Sequence, residues 1–256
     1  MVQKKTEYGA GPLFRAAGTV SGVMMGSALL VLANVLLVVA AVFVSLSPGM
    51  PTSGTMTSGT MQVARSGPGF GAGGLLFLLA CVPVGPSLVA AMYAFNRLLS
   101  GRDTGVLRDF VRGYRMNFGQ AVMVWLPYLL LLVVIAFSLA GLGSIYEAEP
   151  LIRLALLVLG LLVGTAALNA LLLLSRFAFR VRDIYWLSLY SFVAQKRVSL
   201  GNAGILFVTV FLLLTTTAFL LPVIAGAVVY FVGLSSRPLL KHVERKFTLA
   251  HASRSD

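Results

Sequence analysis

A long stretch of this sequence, from Val198 to Ser236, contains no charged side chain. As one α-helix these 39 residues would be roughly 58 Å long, nearly twice the thickness of a hydrocarbon core of about 30 Å. Pro222 lies inside the stretch, and an interior proline removes a backbone hydrogen bond and clashes with the preceding turn. The stretch therefore predicts two membrane spans, at about residues 203–221 and 223–240.

Four more uncharged apolar runs are each long enough to cross a bilayer, which takes about 20 residues. They lie at about residues 21–46, 73–93, 119–142 and 154–175. Of the whole chain, 58% is hydrophobic and only 11% is charged, whereas soluble domains are about one quarter charged. The sequence therefore predicts an all-α, polytopic membrane helix bundle of six spans, with five as the alternative, forming one domain over residues 1–256.

The charges predict on which side of the membrane each loop lies. The chain has 20 Lys and Arg against 8 Asp and Glu, and cytoplasmic loops of membrane proteins are rich in Lys and Arg. With six spans, 18 of the basic residues fall on the amino-terminal side and only Arg65 and Arg153 on the other, whereas five spans give 13 and 7. This favours six spans with both termini in the cytoplasm, including a basic tail at 241–256. Topology thus explains the net charge of +12, and we expect no nucleic-acid partner.

Three segments between the spans have a recognisable character. Residues 47–66 are rich in Ser, Gly, Thr and Met, which predicts a flexible extracytoplasmic loop. Residues 104–118 carry apolar side chains at helical spacing opposite several arginines, which predicts an amphipathic helix lying along the membrane or under a partner. A second cytoplasmic amphipathic helix begins at Asp183, with aromatic residues suited to the headgroup zone. The candidate partner-contact residues of the first helix are Phe110, Tyr114, Asn117 and Phe118.

Few polar side chains lie in the predicted spans, and they are candidate site residues. Asn34 and Asn169 are costly in lipid, so we expect both to face protein. Pro83 interrupts the second span, and backbone groups freed at membrane depth must be buried in protein or face a cavity. Broken helices also occur at transporter binding sites. The full candidate set, for a cavity or for helix packing, is Asn34, Pro83, Gly85, Pro86, Asn169 and Thr216. Interhelical hydrogen bonding and a cavity for a neutral solute remain alternative interpretations.

Motifs of common enzymes are missing from the sequence. It contains no phosphate-binding G-x-x-x-x-G-K-[ST] loop, no G-x-S-x-G nucleophile elbow and no HExxH pair. His242 and His251 lie in the basic tail, far in sequence from Cys81. Apart from Arg237 near the end of the last one, the predicted spans also contain none of the ionisable residues typical of a proton or ion pathway. We therefore expect no enzymatic activity, no metal site and no cofactor.

Several short motifs resemble the pattern of YesL-like bacterial membrane proteins. They are Gly11-Pro12-Leu13-Phe14-Arg15, Ala33-Asn34-Val35-Leu36-Leu37, Val82-Pro83-Val84-Gly85-Pro86, Ala90-Ala91-Met92-Tyr93, and the residues Phe110, Tyr114, Asn117, Phe118, Gln120 and Trp125. The resemblance is clearest from Gly11 to about Tyr128. It implies a protein of the bacterial cytoplasmic (inner) membrane that accompanies ABC-type carbohydrate uptake systems.

Three functions follow as expectations. The leading one is a non-catalytic accessory or membrane subunit of a carbohydrate (ABC-type) uptake system, with transporter subunits and membrane lipid as its partners. The second is a small membrane transport component that captures a neutral solute, in which Asn34, Asn169 and Thr216 would line a cavity. The third is a structural or signalling membrane protein without a transported solute.

Overall fold

The computed structural model of the protein describes residues 12–46, 72–100, 105–141, 149–177, 180–194, 196–215 and 221–235. These residues form nine α-helices and no strand, which confirms the predicted all-α class for this part of the chain. The helices are α1 Pro12–Ala33, α2 Val35–Leu46, α3 Ala72–Cys81, α4 Val84–Leu99, α5 Val106–Gly141, α6 Glu149–Arg176, α7 Val181–Ala194, α8 Lys196–Thr215 and α9 Leu221–Ser235.

Three segments of the described chain are long and apolar enough to cross a membrane. They are Leu78–Leu99, Val106–Leu139 and Pro150–Arg176. Two further helical segments, Ala17–Ala33 and Gly226–Ser235, are apolar but shorter. Large apolar side chains are exposed along α5 and α6, as expected of helices whose outer surface contacts lipid. The fold is therefore that of a membrane helix bundle.

The long uncharged stretch at the end of the chain forms two helices, α8 and α9. Pro222 is the second residue of α9, where a missing backbone N–H costs least. A Cβ atom on Gly201, near the start of α8, would lie 2.8 Å from the Ser235 hydroxyl at the end of α9. The two helices therefore run antiparallel, as a hairpin.

Helix α4 also packs antiparallel to both α1 and α5. Gly22, in the first half of α1, faces Leu98 at the end of α4. At that same end of α4, Arg97 contacts Asp109 in the first turn of α5. The start of α1, the end of α4 and the start of α5 therefore meet at one end of the bundle.

The end of α6 lies beside the start of α8. Asn169, in the last third of α6, contacts Ser199 in the first turn of α8. The bundle has a hydrophobic core cluster of buried residues. Its buried apolar residues include Val89, Phe95, Phe110, Val124, Leu171, Leu173, Ile184 and Val198.

Helix α5 includes most of two predicted segments. The sequence predicts an amphipathic helix over 104–118, lying along the membrane or under a partner, and a span at 119–142. Residues 106–141 form one continuous helix of 36 residues. The reason is that Val106, Phe110 and Gly113 continue the face on which Ala121 and Val124 are buried, so a bend would separate this face from α4. The helix is about 54 Å long.

The second predicted amphipathic segment does form its own helix, α7. Trp186 is 67% exposed and Tyr190 54% exposed, whereas Tyr185 turns inward toward α5. Ile184 is fully buried. This helix therefore closes the space between α5 and α6 with one face and leaves aromatic side chains on the other.

Candidate functional site

Two breaks between consecutive helices lie close together in the fold. Asn34 is the single residue between α1 and α2, and Val82 and Pro83 separate α3 from α4. The Asn34 side-chain Nδ2 donates a hydrogen bond to the Ser87 hydroxyl over 2.8 Å and another to the Leu30 carbonyl over 2.7 Å. The break at Asn34 is therefore joined by a hydrogen bond to the first turn of α4, which follows the break at Pro83.

The break at Pro83 leaves backbone carbonyls that other groups must satisfy, since proline has no N–H. The Leu79 carbonyl, which an N–H at position 83 would normally reach, accepts a hydrogen bond of 3.2 Å from the Val82 N–H. The carbonyl of Cys81 accepts one of 3.0 Å from the Trp125 Nε1–H on α5. These two carbonyls are thus paired within the protein, as a membrane environment requires.

Gly85 allows α5 to approach this break closely. A Cβ atom at position 85 would lie 2.5 Å from Cγ of Trp125 and 2.6 Å from its Cβ, so only glycine leaves room for the indole ring. Pro86 and Ser87 are buried beside it. Asn34 Oδ1 is also buried and, among the described residues, has no hydrogen-bond partner. The four candidate residues Asn34, Pro83, Gly85 and Pro86 therefore share one contact region between α1, α4 and α5.

Asn169 belongs to a different contact, between α6 and α8. Its Oδ1 accepts a hydrogen bond of 2.8 Å from Asn202 Nδ2. Its own Nδ2 donates a longer one, 3.4 Å, to the Ser199 hydroxyl. Asn169 and Asn202 are both fully buried. This pair links two helices through their side-chain amides, in an interior where such bonds are worth on the order of 1 kcal/mol each.

Helix α7 supplies two further hydrogen bonds between helices. The Tyr185 hydroxyl donates to the Met123 carbonyl at 2.9 Å, a group left without its usual helical donor because position 127 is proline. Burial raises the pKa of Tyr185, with Tyr128 adding to the shift, so the hydroxyl keeps its proton at neutral pH. The Ser188 hydroxyl donates to the Ala166 carbonyl of α6 at 2.7 Å.

An ion pair joins α4 to α5 at the charged end of the bundle. Arg97 Nε lies 3.3 Å from Asp109 Oδ1, and the Asp109 side chain is fully buried. Arg97 also donates a hydrogen bond of 3.3 Å to the Tyr93 hydroxyl. A Cβ atom on Gly113, one turn along α5, would lie 3.0 Å from the Tyr93 ring, so the two helices approach closely there. The two helices are therefore held at close range by a buried carboxylate and its guanidinium.

The predicted partner-contact residues lie along α5 but differ in exposure. Phe110 is 5% exposed and belongs to the protein's own core, Tyr114 is half-buried, and Phe118 is 45% exposed. The ring centroids are 6.4 Å apart for Phe110 and Tyr114, and 5.4 Å for Tyr114 and Phe118. Asn117 donates to the Gly113 carbonyl of its own helix at 3.1 Å. We call the rings of Phe110, Tyr114 and Phe118 the aromatic row. Of these three rings, only those of Tyr114 and Phe118 reach the surface.

Several residues of these contacts were not predicted from the sequence. They are Ser87, Arg97, Asp109, Trp125, Ser199 and Asn202. Asp109 had a readable signal, since it shares the apolar face of Val106 and Phe110 at helical spacing. The pairing of Asn202 with Asn169 had none, because only the fold brings α6 and α8 together. Thr216 lies outside the described residues, as do the predicted loop 47–66 and tail 241–256.

These arrangements hold helices together rather than present reactive groups. Within the described ranges, no three His, Cys, Asp or Glu side chains are grouped as metal ligands would be. Most of the polar side chains named above instead donate to, or accept from, a neighbouring helix, whereas Asn117 donates within its own helix.

The Asn169–Asn202 pair yields a direct test. Asn202→Ala leaves the Asn169 Oδ1 buried without its 2.8 Å donor, so we expect thermal unfolding in detergent to show a loss of about 1 to 2 kcal/mol. Asn169→Ala should cost a similar amount, and the double variant clearly less than the sum. Thr165→Val is the matched control, because that hydroxyl bonds only within α6, to Leu161. Strictly additive losses would contradict the contact.

A comparison with known protein families matches residues 29–139. The matching family model is described as "Protein of unknown function, DUF624". The match covers a little under half of the chain, from the last turn of α1 almost to the end of α5. It therefore contains both helix breaks, Trp125 and the Arg97–Asp109 pair. The chain is similar over this part to an uncharacterised family. Neither the curated proteins nor the solved structures contained a match.

Proposed function

We propose that the chain crosses a bacterial inner membrane six times, with both termini in the cytoplasm. On this topology all but one of the basic side chains that are described fall on the cytoplasmic side of the membrane. They are Arg97, Arg108, Arg112, Arg115, Arg176, Arg180, Arg182, Lys196 and Arg197, whereas Arg153 falls on the other side. From Arg153 to Arg176, α6 rises about 34 Å, close to the thickness of a hydrocarbon core. Basic residues collect on the cytoplasmic side.

On this topology we propose a non-catalytic accessory or membrane subunit of an uptake system, one that docks through its cytoplasmic end. The observation that carries the proposal is the length of α5. Its first thirteen residues, 106–118, continue about 20 Å beyond the span at 119–142. They are braced by α4 through the Arg97–Asp109 pair. A rigid, prolonged helix is a suitable element for contact with another subunit at the membrane surface.

One side of residues 106–118 of α5 suits contact with another protein. Tyr114 and Phe118 form the outer part of the aromatic row, and exposed Val111 lies beside them at helical spacing. Shaped aromatic anchors of this kind carry much of the energy in protein interfaces. That the partner is an ABC-type carbohydrate transporter follows only from the YesL-like resemblance, and we propose it on that ground.

One observation favours the solute-capturing alternative. Asn34 Oδ1 is buried without a hydrogen-bond partner in the described part of the chain, next to the break at Pro83. Unpaired acceptors of this kind are costly and suit a hydroxyl donor from a neutral solute. Against this, the Asn34 amide nitrogen is already engaged by Ser87 and Leu30.

The docking proposal predicts the outcome of co-purification from native membranes. Tyr114→Ala combined with Phe118→Ala should reduce recovery of partner subunits about tenfold or more, since aromatic anchors commonly contribute about 2 kcal/mol each. Phe207→Ala with Phe211→Ala is the matched control, because these exposed rings lie on α8. The control should keep wild-type recovery.

Two results would count against the proposal. If the Tyr114/Phe118 variant recovered partners as wild type does, these residues would not form the docking surface. If the recovered partners were not subunits of an uptake system, the docking surface would stand but the carbohydrate assignment would be wrong.

A further inference from the structure

The outward face of α5 changes from basic to apolar along its length. Residues spaced three or four apart share one face of a helix, and the face opposite the core is formed by Arg108, Arg112, Arg115, Gly119, Met123, Leu126 and Leu130. We call these seven residues the α5 stripe. All seven are exposed. Its first three residues are arginines and its last three are large apolar side chains.

The arginines of the α5 stripe point away from the acidic groups nearby. Asp109 is on the opposite, buried face and is paired with Arg97. Within the part of the chain that the structure describes, none of the three stripe arginines forms an ion pair. A shallow, open groove runs along this surface, lined by Leu107, Arg108, Val111, Arg112, Arg115 and Met116. Its walls therefore combine guanidinium groups with apolar side chains.

The length of the α5 stripe matches one leaflet of a bilayer. From Arg115 to Leu130 the helix rises about 22 Å, and half of a membrane of about 40–45 Å, headgroups included, is 20–22 Å. Arg115 lies about 6 Å outside the span that begins at Gly119, which places it in the headgroup layer. Arg112 is one turn further out, within reach of the same layer through its long side chain.

We propose that the α5 stripe binds an anionic phospholipid of the cytoplasmic leaflet. The phosphate groups pair with the guanidinium groups of Arg112 and Arg115, which match phosphate geometry with two parallel hydrogen bonds. The acyl chains lie along Met123, Leu126 and Leu130. Gly119 has open space where a Cβ would be, which leaves room for the glycerol backbone between the two parts. The proposal needs α5 to cross a membrane and is independent of the docking role proposed above.

Anionic rather than zwitterionic lipid fits the charge of this surface. A phosphatidylcholine headgroup carries an ammonium group that cancels its phosphate, whereas phosphatidylglycerol leaves a net negative charge for the arginines. Each basic residue near a membrane surface adds measurably to the attraction for anionic lipid. We therefore expect the stripe to prefer phosphatidylglycerol.

Native mass spectrometry of the purified full chain tests this preference. The protein in detergent is mixed with phosphatidylglycerol or with phosphatidylcholine of the same chain length, and bound lipid is counted. Arg112→Gln with Arg115→Gln should weaken retention of phosphatidylglycerol about tenfold or more. Arg180→Gln with Arg182→Gln is the matched control, since it removes two exposed arginines that are not on α5 but at the start of α7. The control should retain lipid as wild type does.

Further measurements test whether the bound phosphate belongs to a lipid, and whether the apolar residues of the α5 stripe contribute to binding. Inorganic phosphate and glycerol phosphate should fail to displace the lipid, and equal competition by either would overturn a lipid site. Met123→Gln with Leu126→Gln should weaken lipid retention while the arginines remain. Equal losses in the Arg112/Arg115 and Arg180/Arg182 variants would show general attraction to a basic surface and would overturn the proposal. Thermal unfolding without lipid checks that each variant is folded.

Discussion

Arg97→Met is expected to destabilise the protein by about 3 kcal/mol, because it leaves a buried carboxylate without its partner. Asp109 is fully buried, and its Oδ1 lies 3.3 Å from Arg97 Nε. Breaking such pairs commonly costs about 3–5 kcal/mol, and we take the lower end since the Arg97 side chain is 27% exposed. The free energy of unfolding, measured by titration with SDS in mixed micelles, gives the value.

Two companion variants separate the charge from other effects of the Arg97 substitution. Arg108→Met removes an exposed arginine next to Asp109 in sequence and should change the free energy of unfolding little. Arg97→Met combined with Asp109→Leu removes both charges and should recover most of the loss, since an apolar pair can replace a buried ion pair. If Arg97→Met were no less stable than Arg108→Met, the pair would not hold α4 to α5.

Gly85→Val is expected to cost about 3 kcal/mol through two effects at the second helix break. A Cβ at this position would meet Trp125 at 2.5 to 2.8 Å, and forcing extra atoms into a packed interior costs about 1–3 kcal/mol. Displacing the indole also removes its 3.0 Å hydrogen bond to the Cys81 carbonyl, a loss of about 1 kcal/mol or more. Thermal unfolding in detergent measures the total.

Variants at two other positions test both parts of this expectation. Gly204→Val places the same side chain on a helical glycine with open space around it, and it should be nearly neutral. Trp125→Phe fits beside Gly85 but lacks the Nε1–H, so it should show only the hydrogen-bond part of the loss. Wild-type stability of Gly85→Val would mean that α5 does not approach the break as closely as the structure shows.

The helix breaks show how far sequence reasoning reaches in this protein. Pro83 is a candidate break because proline lacks an N–H, although Pro127 lacks one too and lies inside the continuous helix α5. The same reasoning places a break near Pro222, and two helices occupy that stretch. The donors that pair with the freed carbonyls, however, cannot be predicted from the sequence. Trp125 is 44 residues from Cys81, and no local pattern connects them.

The continuity of α5 also depends on contacts that the sequence does not show. Residues 104–118 have the pattern of an amphipathic helix, and a helix on a membrane surface shows the same pattern as one packed on protein. The sequence therefore could not decide between them. Packing of Phe110 into the core and of Gly113 against Tyr93 decides it, since both contacts need α5 to continue straight beside α4.

By itself, the sequence determined that this is an all-α chain with segments that suit a membrane, because apolar run length and charge distribution act locally and need no fold. It also determined which prolines are candidate breaks in those segments. Only the tertiary structure decided which polar groups meet: Asn34 with Ser87, and Asn169 with Asn202. A hydrogen bond or ion pair depends on distances of about 3 Å between helices far apart in sequence. Those distances are set by packing, not by the pattern of any one helix.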